Sequence, residues 1–267
     1  MIRMFLLFSL LAAALAAQAD CEPAVARAVL DKLQLSLQYD ANHHLQGAIL
    51  RCQPLASDPG QSVLALSRRR PVLGGNGYDI FSLDVVMLRS EDGLILAHYA
   101  QPDVFGQQNI SVEDISLDMA PYKLSRYVRA FGVRTNYSTL DINGAHFQDL
   151  TLFVNNDNTL NMVMTGLLTS ENHYDGGYGL RCTSFADDTP PDHLYAGKLL
   201  TVDRTVDMAP SQSNGYADMA INETSNDTDT RNIDGTCTPS ILPPGLASYV
   251  LQYDGSHYVV PAKIKRP

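Results

Sequence analysis

Two arginines, two tyrosines and a short run of carboxylates are the side chains whose type and spacing offer chemistry. Arg129 and Arg134 stand in the segment VRAFGVRT, residues 128–135. A guanidinium can grip a carboxylate or phosphate through two parallel hydrogen bonds, so the pair suggests anion or partner binding. A regular strand sends positions 129 and 134 to opposite faces, and one bulge at Gly132 would bring them to the same face. The plainer alternative is that each Arg snorkels or pairs with a carboxylate such as Asp118. Tyr174 and Tyr178 stand in HYDGGYG, residues 173–179, which reads as a loop tip where amphipathic rings meet a partner. These four residues form the predicted partner-binding set. Asp227, Asp229 and Asp234 lie in the Asn/Asp-rich stretch 222–235 and offer hard oxygens suited to Ca²⁺. However, Arg231 occupies a ligand position and no Glu closes the loop, so calcium binding there is left open and no metal is assigned.

Catalytic patterns are missing from the sequence. There is no Gly-x-Ser-x-Gly, no Ser-x-x-Lys and no His-Glu-x-x-His. The glycines of residues 74–77 are followed by no Lys-Ser/Thr and open no helical pattern, so they read as a connection and not as a phosphate cradle. Adjacent His43 and His44 would point to opposite sides of a strand and read as loop residues. A hydrolase site assembled from distant positions would require His98, His146 or His193 beside a carboxylate in a cleft. The chain has no Trp, which weighs against a carbohydrate cleft, although its 13 Tyr could stand in. No cofactor is implied.

The elements that must position these groups begin after an export signal. Residues 1–19 carry Arg3, an apolar run from Met4 to Ala16 and the small-x-small site Ala17-Gln18-Ala19, the pattern of a cleaved signal peptide. Cleavage before Asp20 is preferred to acylation of Cys21, because Asp20 stands where a lipoprotein needs a small residue. Removing Arg3 with that segment leaves 18 basic against 29 acidic residues, a net charge of −11. Such a charge argues against nucleic acid and anionic membrane surfaces as partners, and no later apolar run is long enough to span a bilayer. A periplasmic or secreted location follows. There the four cysteines are expected to form two disulfides, Cys21–Cys52 and Cys182–Cys237 among three possible pairings. No two cysteines have C-x₂₋₄-C spacing, which disfavours zinc.

The one helical pattern covers 22–37, with Val25, Val29, Leu30, Leu33 and Leu37 on one face and Pro23 in the first turn. From residue 78 the pattern turns to strands. Asp92-Gly93, the run 155–158 and Asp254-Gly255 mark tight turns between apolar segments. Residues 62–67 are compatible with either strand or helix. No composition shift divides residues 20–267, which read as a single all-β, mainly antiparallel domain. The expected architecture is a sandwich or a partly closed barrel with one N-terminal helix and two disulfides.

Residues 115–137 carry the only family likeness. The runs Leu117-Asp118-Met119-Ala120-Pro121-Tyr122-Lys123-Leu124 and Val128-Arg129-Ala130-Phe131-Gly132-Val133-Arg134 resemble a block in a family of uncharacterised exported proteins of Gram-negative bacteria. The resemblance extends more weakly to residues 150–154 and 166–182. It implies export and no activity. The functional expectation is a non-catalytic periplasmic protein that binds an envelope protein or small ligand through loops. The alternative is an exported hydrolase with a dispersed site acting on an envelope polymer.

Overall fold

The computed structural model describes residues 21–35, 38–39, 45–71, 79–105, 110–139, 144–175, 184–185, 197–233 and 236–266. Helix α1 (Pro23–Lys32) starts on Pro23, whose missing N–H would have no intrahelical partner in the first turn. Val25, Ala26, Val29 and Leu30 form its buried face. The helix stops short of the predicted 37 because Gln34 turns left-handed at φ +55° and breaks the ladder. Disulfide Cys21–Cys52 ties its start to the strand Ala48–Leu55, as expected. Closing that 31-residue separation contributes about 4 kcal/mol in the chain-entropy account.

A two-residue ribbon, β1 (Gln38–Tyr39) with β2 (Leu45–Gln46), precedes the first main sheet. That sheet has the order β3 (Ala48–Leu55), β4 (Asp58–Pro71), β5 (Asp79–Arg89), β6 (Ile95–Gln101), all antiparallel. Residues 62–67 thus settle as strand. In β4 and β5 nearly every residue of 63–66 and 81–88 is buried, because both faces are covered. Leu64, Leu66, Val86 and Leu88 pack under α1, whereas Val63, Ala65, Leu83, Val85 and Met87 face a second sheet. Gly93 forms the β5–β6 turn at φ +67°, and a Cβ there would come within 3.2 Å of Val25 on the helix.

The second sheet has nine strands. Its path is β11 (Ser184–Phe185), β14 (Thr236–Ile241), β13 (Tyr216–Ile233), β12 (Gly197–Ser213), β10 (Thr159–Asp175), β9 (His146–Asn156), β8 (Arg129–Thr139), β7 (Ile110–Lys123), with β15 (Gly245–Leu251) also on β13. Every pairing is antiparallel except β11 with β14. Ile115, Leu117, Phe131, Val133 and Phe153 of this sheet meet the inner face of the first in one shared core. The protein is therefore mainly antiparallel β, with one α-helix among the described residues, near the N-terminal end, and neither main sheet closes into a barrel.

Several finer expectations change. The Asn/Asp-rich stretch 222–233 is not a loop: it belongs to the 18-residue strand β13, which runs antiparallel to β12 across the turn Asn214-Gly215. Both turn residues have positive φ, 49° and 86°, the two-residue geometry that Asn-Gly favours. The return after Asp254-Gly255 makes only the bridge Tyr253–Tyr258 and no second strand. The described residues hold one disulfide where two are expected. Cys182, the expected partner of Cys237, lies outside them, as do the segment 1–19, His43, His44, the glycines of 74–77, Tyr178, His193 and Asp234.

Between β10 and β12 the sheet parts, and the C-terminal segment fills the opening. Their last paired residues are Ser170 and Asp203. Beyond them the free edge of β10 is taken by Tyr258 N–H donating to Val163 C=O and Arg266 N–H to Gly166 C=O, each at 2.7 Å. Tyr258 and Ile264 thereby plug a second core with Leu150, Leu152, Val163, Leu167, Met219, Ile221 and Leu251. The β12–β13 hairpin curls back far enough for Ala217 N–H to donate to Leu124 C=O at 2.7 Å.

Candidate binding groove

The four predicted partner-binding residues do not converge. β8 pairs with β9 in an unbroken register, so no bulge forms at Gly132 and Arg129 and Arg134 remain on opposite faces. The irregularity sits instead on β7 between Asp118 and Tyr122, where Pro121 has no N–H to give the ladder. Gly132 is needed for close packing: a Cβ would approach Leu150 Cδ1 to 2.6 Å and Asp118 Cβ to 3.0 Å. Arg134 donates to Asp118 Oδ2 and Gln148 Oε1 at 2.8 and 2.9 Å, inside a polar network with Tyr122, Asn136 and Thr169. It follows the plainer alternative and holds strands together. Tyr174 lies near the end of β10, beyond the Asn172–His146 pair, whereas Arg129 sits by the Ala130–Val154 pair. Eight residues of β9 separate the two, about 26 Å at the usual rise of a strand.

Arg129 is exposed and opens onto a groove. Strands β3 and β7 are the neighbouring edges of the two sheets, and among the described residues neither pairs with a strand on its outer side. Three clefts follow one another along the seam. The first, about 280 Å³, lies between Ala48–Ile49 and Ser111–Glu113. The second, about 550 Å³, lies between Leu50–Gln53 and Ser116–Leu117 beneath the start of α1. The third, about 120 Å³, lies between Leu55–Ser57 and Met119–Pro121 and is flanked by Arg129. From Ser111 to Pro121 the row extends about 33 Å. An ion pair between Arg51 and Asp114 crosses it.

The two ends differ in charge. At the first, Glu113 is engaged by His146, with Nδ1 to Oε1 3.2 Å. At the other, Lys123 stands directly opposite Arg129, and Arg126 leans over its neighbour Tyr127, 84% exposed. None of these three cations has an ion-pair partner among the described residues. Like charges facing each other across a hairpin cost stability, and this chain carries a net charge of −10, so carboxylates to neutralise them are abundant. An unneutralised cationic tip is suited to an anionic ligand group.

No protein-family model, curated protein or solved structure matches the chain.

Two histidines lie within hydrogen-bond reach of a carboxylate, His146 of Glu113 and His98 of Asp84, but neither histidine lines one of the three clefts. His98 Nε2 lies 3.0 Å from Asp84 Oδ1, and Asp84 Oδ2 accepts from Arg68 at 2.8 Å. Asp84 is buried and His98 partly exposed. Among the described residues no hydroxyl or thiol is hydrogen-bonded to His98, so the pair lacks a nucleophile there. Asp227 and Asp229 lie on the strand β13, and Arg231 donates to Asp229 at 3.0 Å. Among the described residues no three His, Cys, Asp or Glu side chains converge as metal ligands, and no helix is long and apolar enough to cross a membrane.

Sequence reasoning missed two buried ionic clusters, both at the opening between β10 and β12. Arg204 joins Glu171 and Glu223 and donates to Leu168 C=O at 3.1 Å. Arg266 donates to the fully buried Asp149 at 2.7 Å and lies over the Phe105 ring. Burial raises the Asp149 carboxyl to about 6, against the opposing pull of Arg266. Asp149 Oδ1 and the Tyr137 hydroxyl are buried without a hydrogen-bond partner among the described residues. Burial pushes the Tyr137 phenol up, and the Asp149 charge adds to it. The Arg266–Asp149 pair fastens the C-terminal plug, and the Arg204 cluster ties β12 to β10 and β13.

Proposed function

We propose that the protein is an exported, non-catalytic binding protein that holds an extended segment of an envelope partner along the β3–β7 seam. The observation that carries this reading is the row of clefts between two outer strand edges, ending at the unpaired cation Arg129. An elongated ligand fits a 33 Å seam of about that length better than a compact one, and backbone at a strand edge is satisfied best by another backbone. Arg129, with Lys123 and Arg126, takes a carboxylate or similar anion of the ligand. Tyr127 supplies an exposed ring beside it. Tyr174, near the end of β10, belongs to a second contact, together with Tyr178, four residues further along the sequence. Export rests on the residue pattern of 1–19 and on the resemblance of residues 115–137 to exported proteins. A second bridge, Cys182–Cys237, belongs to the same reading, because Phe185, three residues after Cys182, pairs with Cys237.

Capture from an envelope fraction tests this, with the mature protein as bait. Arg129→Glu is expected to reduce recovery of the partner about tenfold or more, by reversing a charge at the contact. Lys198→Glu, the same charge change at an exposed site remote from the seam, should leave it unaltered. Equal recovery by all three baits would sink the proposal. The Asp84–His98 pair favours a second reading, an envelope-polymer hydrolase, but without a nucleophile beside His98 it is the weaker of the two.

A further inference from the structure

The strongest unexplained surface lies at the opposite end of the nine-stranded sheet from the seam. β15 pairs with β13 on one side, and among the described residues no strand lies on its other side. The returning chain reaches only past its end, where Val259 N–H donates to Gln252 C=O and Tyr258 bridges Tyr253. The unpaired edge thus extends over residues 245–250. Free edges are normally protected by charged residues, prolines or bulges. β15, GLASYVL, has none of these, in a chain of net charge −10.

Alternation places Leu246, Ser248 and Val250 on the outer face of β15, with Leu246 81% and Val250 59% exposed. The pairing of Thr228 with Ile241 and Thr224 with Leu246 puts Ile241, 78% exposed, on the same face. Exposed aliphatic side chains in a row along an uncharged sheet edge mark an interaction surface. The spacing suits a second copy of this chain as the partner. Leu246 and Val250 flank Ser248 symmetrically, so antiparallel pairing of β15 with its own copy about a twofold axis at Ser248 sets Leu246 of each chain opposite Val250 of the other. Such an interface is self-complementary, as a closed dimer requires. With no charge on the strand, two acidic chains meet there without direct like-charge contact.

We propose that the protein forms a twofold dimer through edge-to-edge pairing of β15, joining the two nine-stranded sheets into one. This proposal is independent of the seam, which lies at the other end of the sheet.

Sedimentation of the mature protein over a range of concentrations tests it. The expected result is reversible association to twice the chain mass. Leu246→Lys should weaken association about tenfold or more, because it places two cations on the shared edge without touching the folded core. Ser248→Cys should give a covalent dimer on oxidation, since residues opposed in an antiparallel pair bring their Cβ atoms within about 5 Å. Ser240→Cys, on the same edge but far from the axis, should not. Monomer at every concentration overturns the proposal. So does a dimer that survives Leu246→Lys, or one that cross-links as readily from position 240 as from 248, because either places the interface elsewhere.

Discussion

Arg204→Met is expected to lower the free energy of unfolding by about 3–5 kcal/mol, the usual cost of breaking a buried ion pair by removing one partner. The guanidinium is 3% exposed and lies between Glu171 and Glu223 at the point where β10 and β12 separate. Without it two carboxylates face one another, Leu168 C=O loses a donor, and the remaining cation is Lys263, 4.0 Å from Glu223 and largely exposed. Tyr249 donates to Glu223 at 3.3 Å and cannot neutralise it. Urea unfolding at neutral pH measures the loss. Adding Glu223→Gln to Arg204→Met should recover a substantial part, because the penalty lies in the abandoned charges and not in lost packing. A loss below about 1 kcal/mol, the worth of an exposed pair, would show the cluster to be solvated.

The second large effect is at the neighbouring latch. Arg266→Ala should cost about 3–5 kcal/mol at pH 7.5, because the carboxylate it leaves, Asp149, has no exposed surface and one oxygen already without a partner. The cost should also depend on pH, with a sign set by burial. In the folded protein burial pushes the Asp149 carboxyl up to about 6, above its ordinary 3.8, so the folded state holds the extra proton between about pH 4 and 6. The stability contributed by that proton is fully present below about pH 4 and is lost as pH rises through 6. Protonation also removes the charge that Arg266 balances. The deficit of Arg266→Ala should therefore be smaller at pH 5 than at pH 7.5, and Asp149→Asn in the same chain should reduce it at pH 7.5. Equal deficits at both pH values would mean that Asp149 is hydrated in the folded protein.

The parts of the fold legible in the sequence were those set by neighbours along the chain. The helix announces itself through Val25, Val29 and Leu30, and Pro23 fixes its start. Asp157 and Asn158 both take positive φ in the turn that 155–158 foretold. Asn214-Gly215 carries the same hairpin signal and would have revealed the longest strand pair. It was masked because the polar run 222–233 lacks apolar alternation: Asn, Asp and Thr side chains line a strand whose outer face meets water. The Arg134–Asp118 pair was accessible because both residues sit in one hairpin.

Nothing local could show the seam or the ionic clusters. β3 and β7 become neighbours only when two sheets stack, and Arg204 finds Glu171 and Glu223 only once the strand order is fixed. Arg129 stands out by residue type alone, and its surroundings, the clefts by Met119–Pro121 and the opposing Lys123, depend on the bulge around Pro121.

The most direct test of the seam is site-specific photocross-linking of the exported protein in intact cells. A photoreactive side chain replaces Ser57, in the cleft beside Arg129, or Ser256, an exposed residue of the turn after β15. The account predicts a discrete cross-linked partner from position 57, reduced by Arg129→Glu, and none from position 256. A partner captured equally from both positions, or from 256 alone, would contradict it.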